Sequence, residues 1–142
     1  MKNLFIFVLL AVGSISYADS DYTELMKAAN RGDIATVRAL LRAYEDVNEV
    51  HNPTGLTALI RASSNGHVQA VRELCIAGAD TDKTDRYGNT ATFWAATWNH
   101  PEVVRVLALA QADISKPNNN KLTPLTIAAR QGYDEVVKAL SN

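Results

Sequence analysis

Cysteine is nearly absent from this sequence: Cys75 stands alone in 142 residues. One thiol cannot close an intramolecular disulfide or build a cysteine-based zinc site. An excess of charge is missing too, because 14 Lys and Arg face 15 Asp and Glu, a net charge of −1. That balance speaks against a partner held by a broad basic footprint, so no nucleic acid is expected. The only histidines, His51, His67 and His100, form no pair at the four-residue spacing of a helical metal site. Gly-x-Ser-x-Gly, Walker A and Gly-x-Gly-x-x-Gly patterns are lacking. The acidic run Asp80-Thr81-Asp82-Lys83-Thr84-Asp85 fails as a calcium loop, since the sixth and twelfth places hold Asp85 and Ala91 where Gly and Glu are needed. It reads as a turn whose carboxylates bond nearby amides. The expectation is therefore a protein without enzymatic activity, cofactor or metal. With 47% hydrophobic residues the chain is not disordered, and its length allows about two thirds of the unfolded surface to be buried.

What is present begins with an address. Lys2 precedes the apolar run from Leu4 to Val12, and Ser16 and Ala18 form a small-x-small end. This is the layout of a secretory signal peptide, and the run is shorter than the roughly 20 residues of a membrane span. Cleavage after Ala18 is predicted, giving a periplasmic or secreted protein with no membrane attachment. Loss of 18 of 142 residues leaves 124, and loss of Lys2 alone among the charges moves the net charge from −1 to −2.

The remainder repeats. Thr57, Thr90 and Thr123 recur every 33 residues, in the contexts Gly55-Leu56-Thr57-Ala58-Leu59, Gly88-Asn89-Thr90-Ala91-Thr92 and Lys121-Leu122-Thr123-Pro124-Leu125. Small pairs recur at Ala28-Ala29, Ala62-Ser63, Ala95-Ala96 and Ala128-Ala129, followed by Gly32, Gly66, Asn99 and Gly132. A second helix repeats as Val37/Leu40, Val71/Leu74, Val104/Leu107 and Val137/Leu140, the spacing of a buried helical stripe. Each threonine suits an N-cap, Pro124 suits the first helical turn and Pro101 starts a second helix. The glycines suit the left-handed residue that ends a helix.

At these residues the chain resembles the ankyrin repeat family, whose pattern is roughly Asp-x-x-Gly-x-Thr-Pro-Leu-His-x-Ala-Ala-x-x-Gly-His. The resemblance implies an all-α solenoid of about four stacked helix-turn-helix repeats with hairpin-like loops. The signal peptide spans residues 1–18 and the array 19–142, in copies of about 19–50, 51–83, 84–116 and 117–142, the last stopping at Asn142 in its second helix. Departures fall mostly in the third copy. Ile60, Phe93 and Thr126 replace the family His, Thr92 replaces a core Leu, and Asn99 and Gln111 replace glycines. Phe93, Trp94 and Trp98 are expected to refill the space lost at Thr92, with Trp94 packing inward. His67 falls where the family places its structural His, His51 in a loop and His100 at a helix start. Cys75 reads as a small buried core residue.

In the family, partners meet the hairpin tips and the exposed positions of each first helix. The tips here are Pro53, Thr54 and Leu56, then Arg86, Tyr87 and Asn89, then Asn119, Asn120 and Leu122; helix positions include Asn30, Arg31, Ser64, Asn65, Thr97, Trp98, Arg130 and Gln131. The residues expected to bind a partner protein are Arg86, Tyr87, Asn89, Trp98, Thr54, Leu56, Asn65, Asn119, Asn120 and Arg130. Tyr, Trp and Arg dominate interface energies, so a hot spot is expected in the third copy. Trp98 has a competing reading as packing between repeats, and Asn118-Asn119-Asn120 one as a solvated polar turn.

The function implied is a monomeric, non-enzymatic protein-binding module, periplasmic or secreted. Two narrower versions are an immunity protein or inhibitor of a toxic enzyme in the same compartment, for which the mildly acidic charge suits a basic partner, and an accessory protein for an envelope enzyme in stress defence. Intact-mass measurement of the exported protein should give a chain starting at Asp19; retention of Met1 would refute the cleavage.

Overall fold

Thr23, Thr57, Thr90 and Thr123 each adopt extended backbone and accept, through the side-chain oxygen, the N–H three residues on, from Met26, Ile60, Phe93 and Thr126. These bonds satisfy donors that a helix start otherwise leaves orphaned, each worth about 1 kcal/mol. They open the first helix of each copy in the computed structural model, which describes residues 21–142. The leader assigned to residues 1–18 lies outside the described residues. Thr23 was not visible as a cap from the repeat, because the first copy carries no Gly-x-Thr.

Eight helices follow among the described residues: α1 Glu24–Arg31, α2 Ile34–Arg42, α3 Ala58–Ser64, α4 Val68–Ile76, α5 Ala91–Thr97, α6 Pro101–Leu109, α7 Pro124–Gln131 and α8 Asp134–Ser141. They pair as α1/α2, α3/α4, α5/α6 and α7/α8. The first helices stack as an inner row, α1 on α3 on α5 on α7, and the second helices as an outer row, α2 on α4 on α6 on α8. This is the all-α repeat solenoid expected from the sequence.

The core runs continuously between the two rows. Leu25, Met26, Leu59, Ile60, Val71, Leu74, Val103, Val104 and Leu107 are all buried, each large side chain contributing about 1.5–3 kcal/mol. Between inner helices the contact residues are small: Ala28, Ala29, Ala62, Ser63, Ala95, Ala96 and Ala128 have no exposed surface. Thr92 and Ser63 take places in this core with hydroxyls that find no hydrogen-bond partner. Phe93 is buried beside Thr92, but Trp98 is 59% exposed, so it does not refill the space and the inter-repeat packing reading is set aside. The stripe of the last outer helix is narrower: Val136 and Ala139 are buried while Val137 and Leu140 are only half-buried. Cys75 is half-buried against the core rather than enclosed by it. It sits one place round from Leu74, which holds the centre of the stripe.

Each inner helix is followed by a left-handed residue at the same phase, Gly32 (φ 69°), Gly66 (φ 73°), Asn99 (φ 60°) and Gly132 (φ 72°). Gln111 (φ 64°), like Asn99, holds a positive φ where the family has glycine. At Gly66 the constraint is double. A Cβ there would lie 2.5 Å from the His100 ring, whose Nε2 bonds the Ser64 carbonyl oxygen at 3.1 Å. Gly32 stands in the same relation to His67, which bonds the Asn30 carbonyl oxygen at 2.9 Å. The imidazole of one copy thus fills the notch left by the glycine of the copy before it.

Gly78 (φ 91°) offers the control, because a Cβ there meets nothing within 4 Å. Gly78→Ala should destabilise by about 1–2 kcal/mol, the left-handed backbone term alone. Gly66→Ala should lose clearly more in urea unfolding, because His100 must also move; equal losses would mean that the ring contact is unimportant.

Candidate functional site

The loops joining the copies turn back on themselves, and their tips are ordered by side chains that accept backbone N–H groups. In the third copy Asp85 does this. One carboxylate oxygen accepts the N–H of Tyr87 and of Asn89, each at 2.9 Å, and the other accepts the Trp94 indole N–H at 2.8 Å. In the fourth copy Asn118, 33 residues on, accepts the N–H of Asn120 at 2.9 Å and of Leu122 at 3.0 Å. Its amide then reaches back to Asn89 at 3.0 Å. The second tip is closed differently, with His51 and Leu56 paired across it and His51 Nδ1 2.6 Å from the Thr54 hydroxyl. Backbone bonds link successive tips: Arg86 N–H to the Thr54 carbonyl at 2.9 Å, and Asn119 N–H to that of Tyr87 at 3.0 Å. The tips stand as a stacked row beside the inner helices.

The acidic run forms part of the same scaffold. Asp80 accepts the N–H of Asp82 at 3.0 Å, and Asp82 that of Asp113 at 2.8 Å. Asn48 binds the next loop twice, through the Asp80 N–H and the Gly78 carbonyl. Among the described residues no three His, Cys, Asp or Glu side chains gather into a metal-binding group. No described helix is long and apolar enough to cross a membrane.

An open groove of about 650 Å³ lies on the inner face where the second and third copies meet. Leu56 comes from the second tip, Ile60, Arg61 and Asn65 from α3 and its end, and Trp94 and Trp98 from α5 and its end. Three expected binding residues, Leu56, Asn65 and Trp98, are thereby brought together. Trp94 and Trp98 differ although they are one helical turn apart. Trp94 is half-buried and fixed through its N–H by Asp85, whereas Trp98 caps α5 with most of its surface exposed. Arg61 lies over the Tyr22 ring, 4.8 Å from its centroid, and Tyr22 stacks on His51 at 4.0 Å. The side of the groove is therefore supported from the first copy.

Other expected residues lie elsewhere. Arg86 and Tyr87 form an exposed pair at the third tip, the guanidinium 4.7 Å from the ring centroid and also bonded to the Tyr87 hydroxyl. Arg130 is exposed on α7, outside the groove. Asn120 is exposed at the fourth tip. Asn119 is exposed, yet its side-chain amide donates to the Arg86 carbonyl at 3.2 Å, so it ties two tips together. Thr54 is half-buried and engaged with His51 and the Leu56 N–H. Asn65 is exposed but holds Asn30 through its amide at 2.8 Å. Asn89 requires correction: it is 6% exposed and bonded to Asp85 and Asn118, a tip-closing residue rather than a contact surface. Ile60, Arg61 and Trp94 line the groove without having been expected there. Ile60 stands where the family has His, which was the available signal.

Ankyrin repeats, as a family model of three copies, match residues 25–118 and 81–142. Among curated proteins the chain is 35% identical over 83 residues to ankyrin repeat and SAM domain-containing protein 6 of Danio rerio, covering 57% of this chain and 11% of that protein. It is 46% identical over 70 residues to zinc finger CCCH domain-containing protein 24 of Oryza sativa subsp. japonica, covering 46% of this chain and 9% of that one. The chain thus spans about a tenth of the length of these relatives.

Burial pushes the Cys75 thiol above its ordinary pKa, which keeps the reactive thiolate scarce near neutral pH. A thiol reagent should therefore label the native protein slowly and the urea-unfolded protein fast, with the native rate rising as pH is raised. Native labelling as fast as unfolded labelling would contradict this environment.

Proposed function

The chain belongs to the ankyrin repeat family, and from that premise we propose that it is a secreted or periplasmic, monomeric module that engages a partner protein through its inner face and tips. Ankyrin repeats are protein-interaction modules, and the family is typically non-enzymatic. The finer reading, with its compartment and binding residues, is ours. The observation that carries it is the exposure of Trp98, at 59%, in a groove shared by two copies. A large aromatic side chain left open beside Leu56 and Ile60 has no part in the core, and such side chains supply much of the energy at protein interfaces. Tyr87, at 54% exposure, extends the same surface to the third tip. Support for export comes from the sequence of the first 18 residues.

Truncation of Trp98 should separate binding from folding. Trp98→Ala and Tyr87→Ala should each weaken capture of the partner from the native compartment, Trp98→Ala by more than about tenfold if it is a hot spot, with the helical circular-dichroism signal unchanged. Full retention of binding in both variants would refute the inner face as the interface, and loss of helical signal in Trp98→Ala would restore the packing role.

A further inference from the structure

The outer helices carry mixed charge, Glu73, Glu102, Asp134 and Glu135 against Arg38, Arg42, Arg72, Arg105 and Lys138, while the segments leading to the tips are mostly acidic, with Glu45, Asp46, Glu49, Asp80, Asp82 and Asp113. On the outer row several are matched: Arg38 pairs with Glu73 at 2.8 Å, and Glu135 with Lys138 at 3.0 Å and Arg105 at 3.4 Å. The inner helices and tips are different. Arg31, Arg61, Arg86, Lys121 and Arg130 all lie there, spread over the four copies, and none makes an ion pair among the described residues. Arg31 has only a longer-range attraction to Asp33. The acids on this side are Asp21 and Glu24 at the start of the first copy, where Glu24 holds Lys27 at 3.0 Å, and Asp85, which is buried and fully engaged with N–H groups.

Resting on the protein-binding reading above, we propose that the inner face takes an acidic segment of its partner bearing at least one large apolar side chain. The apolar side chain seats between Leu56, Trp94 and Trp98, and Arg61 beside them meets an adjacent carboxylate. The remaining cations, about one per copy, meet further acids along the row. The net charge of −1 would favour a basic partner, but it averages acidic loop segments with inner helices and tips that carry more cations than acids. A binding face acts through its local field rather than through the total. A polynucleotide fits less well. Phosphates recur at every nucleotide and need a continuous basic track, whereas about one cation per copy is sparse.

Selection of short random peptides on the full chain tests this. The expected winners are rich in Asp and Glu around a Leu, Ile or Phe, and their binding falls as salt is raised. Arg61→Glu should weaken them about fivefold, the size of one exposed ion pair, and exposed Arg130→Glu should act in the same direction without touching the groove. Trp98→Ala should remove the apolar contribution, with helical circular dichroism intact in all three variants. Winners that are basic or uncharged, yet lost in Trp98→Ala, would overturn the acidic partner and leave the protein-binding reading standing. Acidic winners indifferent to both charge reversals would overturn the location. Absence of any winner would overturn the proposal, and if oligothymidylate binds as well, the protein-binding reading falls with it.

Discussion

The close approach of consecutive inner helices sets the rest of this structure. Ala28, Ala29, Ala62, Ala95, Ala96 and Ala128 lie fully buried along that row, and nothing larger would let one copy settle against the next. Small residues bring the backbones near, but they leave little apolar area per contact. The larger buried area comes from the stripe between rows, from Val37 through Leu74 and Val104 to Leu107. Directional bonds between copies then hold the register. His67 on the Asn30 carbonyl and His100 on the Ser64 carbonyl repeat one geometry, and the Arg86 N–H on the Thr54 carbonyl and the Asn119 N–H on the Tyr87 carbonyl repeat another. A stack built this way depends on nearest neighbours rather than on one central core.

The same requirement explains which parts of the fold were legible in the sequence. A residue whose job recurs in every copy leaves a periodic mark. Thr57, Thr90 and Thr123 as caps and Gly32, Gly66 and Gly132 as left-handed residues were all readable from spacing, and Asn99 could be placed because glycine holds that phase elsewhere. Elsewhere the mark misleads. Val137 and Leu140 keep the phase of Val104 and Leu107, yet they are half-buried where those two are fully buried. Cys75 likewise occupies a helix phase that touches the core without being enclosed by it.

The binding surface was legible only in part, for a reason of the same kind. Periodicity says which positions are free of the framework but not what a free side chain does. Asn89 sits at a tip position and looks available, but Asp85 and Asn118 draw it inward, an arrangement that depends on acceptors in two different copies. Trp94 and Trp98 were separated in the sequence by position, Trp94 inward and Trp98 outward, but the bond that holds Trp94, from its indole N–H to Asp85, was not visible there. Arg61 was passed over because its neighbourhood, Tyr22 stacked on His51, is assembled from two different copies.

Those tertiary bonds also bear on how an interface here would work. Trp94 is held by Asp85, Asn65 by Asn30, and His100 by Ser64, so most of the groove is fixed before any partner arrives. A prearranged surface has less side-chain freedom to lose on binding, which is among the larger penalties of association. Trp98 stands against this fixed wall with more than half its surface open. One exposed aromatic side chain among fixed neighbours can pack on an apolar side chain while Arg61 beside it sets the orientation of an acidic neighbour. On this view the irregular third copy is where the array departs from its framework rules: Thr92 leaves a hydroxyl unpartnered in the core and Asn99 takes a left-handed glycine place, while Trp98 faces outward on a stack carried by its neighbours.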